Sequence, residues 1–220
     1  MSRNSLKLCS LGFAALVCLV VPARAEVVLS NQTSVNVNPY FVHADEWSAV
    51  SFVTNNQAWT LTSATLNFGP AQNTSGNLFV NVYSNATDRP GSSLGTLSGS
   101  DNPASAGQYT YTSNGINLDP STIYWLVAGV SSGNGDYRWL YAADVSASTG
   151  VWSIPSTNTY STYQYGNWLS GDQYPYLFSI EATATAPSSV PEIDPNSLGS
   201  VLALVMGALG LLERRRLTAA

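Results

Sequence analysis

Through the middle of the chain, apolar residues alternate with polar ones. Leu78, Val80 and Val82 alternate with Phe79, Asn81 and Tyr83, and Phe178, Ile180 and Ala182 alternate with Leu177, Ser179 and Glu181. A period of two marks an antiparallel strand with one face buried. Residues 123–128, Ile-Tyr-Trp-Leu-Val-Ala, are apolar at both parities, which places that strand centrally in a sheet. Further strands are expected over 47–53, 59–68, 108–112 and 137–142. Turn signals stand at Asp88-Arg89-Pro90-Gly91, Ser113-Asn114-Gly115 and Ser132-Gly133-Asn134-Gly135-Asp136. Few helix formers recur at helical spacing. Many short strands over residues 26–186 predict an all-β domain, a two-sheet antiparallel β-sandwich of jelly-roll-like topology.

The two ends break this pattern. Arg3 and Lys7 precede an apolar run, Leu8 to Val21, and then Pro22-Ala23-Arg24-Ala25. This is the form of a secretory signal helix, with cleavage expected between Ala25 and Glu26. At the other end, residues 198–212 carry no charge and are followed by Glu213-Arg214-Arg215-Arg216. As a helix this run is about 22 Å long at ~1.5 Å per residue, against about 30 Å of hydrocarbon. It reads as a short transmembrane helix whose arginines stay on the cytoplasmic side and whose body faces outward. A permanent single-span anchor has the same form. Residues 182–189, Ala-Thr-Ala-Thr-Ala-Pro-Ser-Ser, read as a linker. The chain thus divides into a signal peptide (1–25), an extracellular domain (26–186), and a linker with a sorting tail (187–220).

Composition narrows the chemistry. Both cysteines, Cys9 and Cys18, lie in the signal segment. The mature body therefore has no disulfide, no cysteine zinc site and no thiol nucleophile, and a domain of its size can bury a sufficient core without them. Between 26 and 186 two arginines, Arg89 and Arg138, face ten carboxylates, for a net charge of -8. Phosphate binding needs clustered Lys and Arg, so nucleic acid is not an expected partner.

Catalytic residues are scarce. His43 is the one histidine, so any Ser-His-Asp triad would have to use it. A zinc site needs several His or Cys ligands. Asp45 and Glu46 are the one adjacent acidic pair in the body, but strand neighbours point to opposite faces and would not meet one substrate. Asn134-Gly135-Asp136 and Gly171-Asp172 offer oxygen ligands of the type calcium takes, or are simply turn residues. The expectation is a non-enzymatic domain without a cofactor. Aromatics are the remaining lead. Trp139, Trp152 and several tyrosines crowd the last third of the body, where the expected role of Trp139 is core. The stretch Tyr160-Ser-Thr-Tyr-Gln-Tyr-Gly-Asn-Trp168 reads as a loop. Tyr160, Tyr163, Tyr165 and Trp168 are its candidate glycan contacts, rings that would stack on sugar faces.

Two resemblances add to this reading. Pro191-Glu192-Ile193-Asp194-Pro195, followed by the apolar run and the cluster Arg214, Arg215 and Arg216, resembles the PEP-CTERM sorting signals of Gram-negative bacteria. Pro191 and Glu192 match that motif, and Ile193 departs from its final proline. The resemblance implies recognition by an exosortase and loss of the helix. Residues 118–127 (Leu-Asp-Pro-Ser-Thr-Ile-Tyr-Trp-Leu-Val), with Tyr137-Arg138-Trp139 and Trp152, resemble the R type of choice-of-anchor domain. This implies a surface domain without an established catalytic role, and it transfers no site residue. Together they imply an exported domain of the cell envelope, cell surface or extracellular matrix. Its expected partners are the secretion machinery, an exosortase and extracellular polysaccharide, with membrane contact through the C-terminal helix before processing. A carbohydrate-binding module using exposed Tyr and Trp is the alternative, and a glycoside hydrolase the third reading.

Overall fold

The computed structural model describes residues 24–34, 36–142, 148–155, 159–163, 167–170 and 174–185. Over these residues the protein is all β and contains no helix. The strands are β1 (Glu26–Ser30), β2 (Asn36–His43), β3 (Glu46–Val53), β4 (Trp59–Asn73), β5 (Gly76–Asn85), β6 (Pro90–Leu97), β7 (Gly107–Leu118), β8 (Ile123–Gly133), β9 (Asp136–Ala142), β10 (Thr149–Gly150), β11 (Thr159–Tyr163), β12 (Asn167–Ser170) and β13 (Phe178–Ala184). All pairings among them are antiparallel.

The long strand β4 organises the topology. Its first part pairs with β13 on one edge and β7 on the other, and its last part, from Phe68 to Asn73, pairs with β9. From β9 the ladder continues through β2, β3, β8 and β5 to β6. A bridge between Ser98 and Thr112 then joins the chain after β6 to β7, so the path returns to β4. Strands β1 and β10 extend the β13 edge, and the β11–β12 hairpin pairs with β3.

Alternation explains which residues fill the core. Val50 and Phe52 of β3, Leu126 and Ala128 of β8 and Val80 and Val82 of β5 join Leu61, Leu66, Phe178 and Ile180 in one buried cluster. Trp152 stacks on Phe52 at 5.5 Å and 2°, and Trp139 stacks on Tyr176 at 4.4 Å. Trp139 is fully buried and donates its Nε1–H to Leu177 O at 3.0 Å, so its expected core role holds. Asn31, also buried, clamps β1 to the start of β13. Its Nδ2 donates to Tyr176 O at 2.8 Å and its Oδ1 accepts from Phe178 N–H at 2.7 Å.

Three local expectations are corrected. Ser113-Asn114-Gly115 is a bulge inside β7 and not a turn. Gly115 takes φ 94°, and Ser113 Oγ accepts from the N–H groups of Gly115 and Ile116, so the turn chemistry is real but the strand continues. The linker begins later than Ala182. Ala182, Thr183 and Ala184 belong to β13, where they pair with Leu61, Thr60 and Trp59, because Ala182 is small and apolar enough to join the core. Tyr160–Trp168 is no plain loop: β11 and β12 form an antiparallel hairpin on β3. Ala25 and Glu26 are described, and Glu26 opens β1 opposite Ala182. Ala23, Pro191, Glu192, Arg214, Arg215, Arg216 and both expected helices lie outside the described residues. Among the described residues no helix is long and apolar enough to cross a membrane.

Candidate functional site

Strands β3, β8, β5 and β6 lie side by side, and alternation gives them a second face. Tyr124, Leu126, Ala128 and Val130 of β8 enter the main core, so Trp125, Val127 and Gly129 face the other way. Cross-strand register aligns Ala49, Val127, Asn81 and Thr96 in one row, and Ser51, Trp125, Tyr83 and Ser93 in the next. Ala49, Trp125 and Val127 are fully buried and form a second apolar cluster. Trp47, Phe79, Tyr83 and Trp168, each half-buried, pack against it.

A glycine shapes this face. The rings of Trp47 and Phe79 meet edge to face, with centroids 4.8 Å apart at 85°. Both lie on Gly129, where a Cβ would stand 2.6 Å from Phe79 Cζ and 2.6 Å from Trp47 Cγ and Cδ1. Only a residue without a side chain lets both rings rest on the backbone. Above them runs a groove of about 430 Å³ lined by Trp47, Phe79, Asn81, Tyr83, Thr96 and Ser131. Among the described residues its lining is three aromatic rings and three neutral hydrogen-bonding side chains, with no charge. Asn81 Oδ1 is shielded and has no hydrogen-bond partner among the described residues. At the far end Trp125 Nε1–H donates to Asn85 Oδ1 at 2.9 Å, which satisfies the buried indole.

At the end of β5 lies a separate hollow of about 570 Å³, lined by Ser84 and Tyr124, which have the core-facing parity of their strands, and by Asn85, Leu94, Asp119 and Thr122 among others. The turn between β7 and β8 forms one wall and is held from beneath. Thr54 Oγ1 donates to Asp119 O at 2.7 Å and accepts from Thr122 N–H at 2.9 Å, while Asp119 N–H donates to the Tyr124 hydroxyl at 2.8 Å. Burial pushes that hydroxyl's pKa above its usual range, so it stays neutral. Asp119 is the one charged residue of the lining among the described residues.

The residues singled out in the sequence divide unevenly over this site. Trp168 packs against the second cluster, with Trp47, Phe79 and Tyr83 around it. Tyr160 pairs in register with Ala49, and Tyr163 with Glu46, positions of opposite parity on β3. Tyr165 lies outside the described residues. Trp47, Phe79, Asn81 and Tyr83 were not singled out. The one signal for them was that Phe79 and Tyr83 make the supposed polar face of β5 largely aromatic.

The His43 region differs from expectation. Asp45 and Glu46 do meet one group: Asp45 Oδ1 lies 2.6 Å from His43 Nδ1, and Glu46 Oε2 lies 3.4 Å from Nε2. Asp45 sits in the turn between β2 and β3, where strand alternation does not apply, so both carboxylates reach the imidazole. Glu46 is buried and also accepts from the Tyr40 hydroxyl at 3.0 Å. The hydrogen bond from His43 holds the Asp45 carboxyl below the usual carboxylate range. The imidazole is thereby spoken for on both nitrogens. Contrary to the expectation that Gly-x-Ser-x-Gly is absent, Gly91-Ser92-Ser93-Leu94-Gly95 has that spacing; it runs inside β6, whereas a nucleophile elbow requires a strand-to-helix turn. Asp136, one calcium candidate, lies on β9 with Oδ1 3.9 Å from Arg138 Nε, while Gly171 and Asp172 lie outside the described residues. Among the described residues no group of three His, Cys, Asp or Glu side chains is placed to hold a metal ion. No protein-family model matches the chain, and no curated protein matches it in sequence.

Proposed function

We propose that this protein is an exported, non-enzymatic surface domain that binds extracellular polysaccharide through the outer face of β3, β8, β5 and β6. The observation that carries the reading is the uncharged groove of Trp47, Phe79 and Tyr83 with Asn81, Thr96 and Ser131. A sugar ring presents C–H groups on its faces and hydroxyls at its edge. Flat rings with neutral donors and acceptors beside them match both at once. A hydrolase is less well supported, since cleavage of a glycosidic bond uses two carboxyl groups and among the described residues the two linings together hold one, Asp119.

The same reading takes the fold as a two-sheet sandwich of jelly-roll type. Its support is that one core cluster collects Val50, Phe52, Leu126 and Val82 on one side and Leu61, Leu66, Ile180 and Val28 on the other. It takes residues 1–25 as a secretory signal and 187–220 as a PEP-CTERM-like tail cut by an exosortase, with a choice-of-anchor R-like body between them. The destination is then the cell envelope, cell surface or extracellular matrix of a Gram-negative bacterium.

Two measurements test this. Affinity electrophoresis through gels containing polysaccharide should retard the parent and not Trp47→Ala. Equal mobility of the two in every retarding gel would remove the groove from the function. Intact mass of the protein recovered from its host should show an N-terminus at Glu26 and the loss of Leu198 to Ala220. Finding the arginine cluster retained in surface protein would leave a plain anchor in place of a sorting signal.

A further inference from the structure

We propose that His43, Asp45 and Glu46 form a proton-operated latch on the joint between β2 and β3, and that its closure in mild acid holds Trp47 in place as a wall of the groove. This rests on the polysaccharide reading above and adds the regulation of that site.

The joint is narrow. Among the described residues β2 and β3 share one paired position, His43 opposite Glu46. Elsewhere β2 pairs with β9, from Asn36 to His43, and β3 pairs with β11 and β8, from Glu46 to Val53. Ser48 Oγ also donates across the joint, to Phe41 O at 3.0 Å. The ladder from β9 to β8 therefore passes through this one pair. Trp47 follows Glu46 directly in the chain, so the backbone passes any shift of Glu46 to a ring that packs against Phe79 over Gly129.

The latch follows from the chemistry of imidazole. The neutral ring has one N–H and one lone pair, and the imidazolium has two N–H groups. His43 Nδ1 lies 2.6 Å from Asp45 Oδ1, and Nε2 lies 3.4 Å from Glu46 Oε2. Both contacts are attractive only when the ring is charged. When it loses a proton, the shorter bond to Asp45 keeps its hydrogen, and the Nε2 lone pair then faces Glu46 Oε2. That carboxylate is buried, and it is left with the Tyr40 hydroxyl, 3.0 Å from Oε1. Taking one partner from a buried ion pair leaves an uncompensated charge, which is strongly unfavourable. Glu46 then moves toward water, and Trp47 moves with it.

Other charges stand close by on β9. Asp136 is the cross-strand partner of His43, and Arg138 has its Nε 3.9 Å from Asp136 Oδ1 and its guanidinium over the Phe41 ring. On β11, Tyr163 holds the register position opposite Glu46. Asp45, Glu46 and Asp136 against Arg138 leave two negative charges beside a neutral His43, and one beside the imidazolium. The hydrogen bond from His43 holds the Asp45 carboxyl below the usual carboxylate range. Asp45 thus stays ionised across about pH 5–8, where histidine is the side chain that ordinarily changes charge. The latch closes with the imidazolium and is lost as pH rises.

The experiment uses the full-length chain in detergent. Amide hydrogen exchange read by mass spectrometry follows residues 42–50 at about pH 5.5 and about pH 8, either side of the ordinary histidine range, with the intrinsic exchange rate at each pH divided out. Protection in the parent should fall about tenfold at the higher pH, the worth of one hydrogen bond to a charged group. His43→Gln has no proton to lose and should be protected equally at both. Glu46→Gln should also lose the dependence, because its amide can donate to the Nε2 lone pair and still accept from Tyr40. Unchanged protection in the parent, or a pH dependence that survives in either folded variant, overturns the latch. Affinity electrophoresis in gels holding β-glucan, mannan or xylan, each against a polymer-free gel at the same pH, tests the groove. The parent should be retarded more at the lower pH, and His43→Gln equally at both. Equal retardation of the parent at both, with exchange still pH-dependent, overturns the link from latch to groove. No retardation at either pH overturns the polysaccharide reading, and the exchange result then decides the latch alone.

Discussion

Adding one methyl group at Gly129 should damage the groove more than the fold. A Cβ there meets Phe79 Cζ and Trp47 Cγ and Cδ1 at 2.6 Å. Carbon atoms pack at about 3.5–4.0 Å, so each ring must retreat by about 1 Å. Overpacking of this kind costs about 1–3 kcal/mol. Part of that is offset, because Gly129 has an ordinary strand backbone and Ala there removes about 0.4–1 kcal/mol of unfolded-chain freedom. Trp47 and Phe79 are half-buried and can swing toward solvent, which a core ring cannot. The net loss for Gly129→Ala should then be about 1–2 kcal/mol, or a fall in Tm of about 2–8 °C for a domain of this size. Binding depends on where the rings sit, and a lost stacking contact is worth about 1–3 kcal/mol by analogy with bases on aromatic side chains. Thermal melting and affinity electrophoresis on the same preparation separate the two effects. A folded Gly129→Ala protein that binds polysaccharide as the parent does would refute the argument that these rings form the contact.

Other outcomes follow from single contacts. Asn31→Ala should remove the acceptor of the Phe178 N–H and the donor to Tyr176 O and cost about 1–3 kcal/mol; a loss below about 0.5 kcal/mol in denaturant melts would mean the clamp is idle. Asp45 has its folded pKa depressed by His43, so its contribution is present above the unfolded carboxylate value and is lost as pH falls through the folded one. Asp45→Asn should therefore melt below the parent at neutral pH, with the gap closing below about pH 4; a gap that stays constant into acid contradicts the pairing. Trp168→Ala should lower both stability and binding, the first by less than the about 3–5 kcal/mol of a fully buried tryptophan; loss of one property alone would assign the ring wholly to packing or wholly to contact.

The legible part of the fold was the part with one wet and one dry face. Strands β3, β4, β5, β8, β9 and β13 announce themselves by alternation or by continuous apolar character. Strand β6 does not: only Pro90 and Leu97 at its ends are buried, and the six residues between them offer no period. Strand β11, Thr-Tyr-Ser-Thr-Tyr, is polar and aromatic at once, and reads equally well as a loop. The bulge at Ser113 carries full turn chemistry, and only the pairing of β7 with β4 on both sides of it shows that the strand continues. The candidate site was half legible for a related reason. Trp168 stood out in a run of aromatics, while Trp47, Phe79 and Tyr83 are dispersed over β3 and β5. They come together only because β8 lies between those strands and carries a glycine beneath two of the rings.

That arrangement also bears on the role of the second cluster. The main core already collects the inward residues of β3, β8 and β5, so Trp125 and Val127 are not needed to close it. A sheet that is apolar on both faces needs cover on the second. Here the cover is partial. Trp168 packs over Ala49, Trp125 and Val127, while Trp47, Phe79 and Tyr83 keep a half-buried edge along the groove. A face evolved only for stability would bury those rings or replace them with threonine and serine, as the outward positions of β7 do at Thr110 and Thr112. Rings held in place, uncharged and still open on one side retain apolar surface that folding has not used. In the polysaccharide reading proposed above, stacking on a sugar face would remove that surface from water, with Asn81, Thr96 and Ser131 as the hydrogen-bonding side chains of the lining.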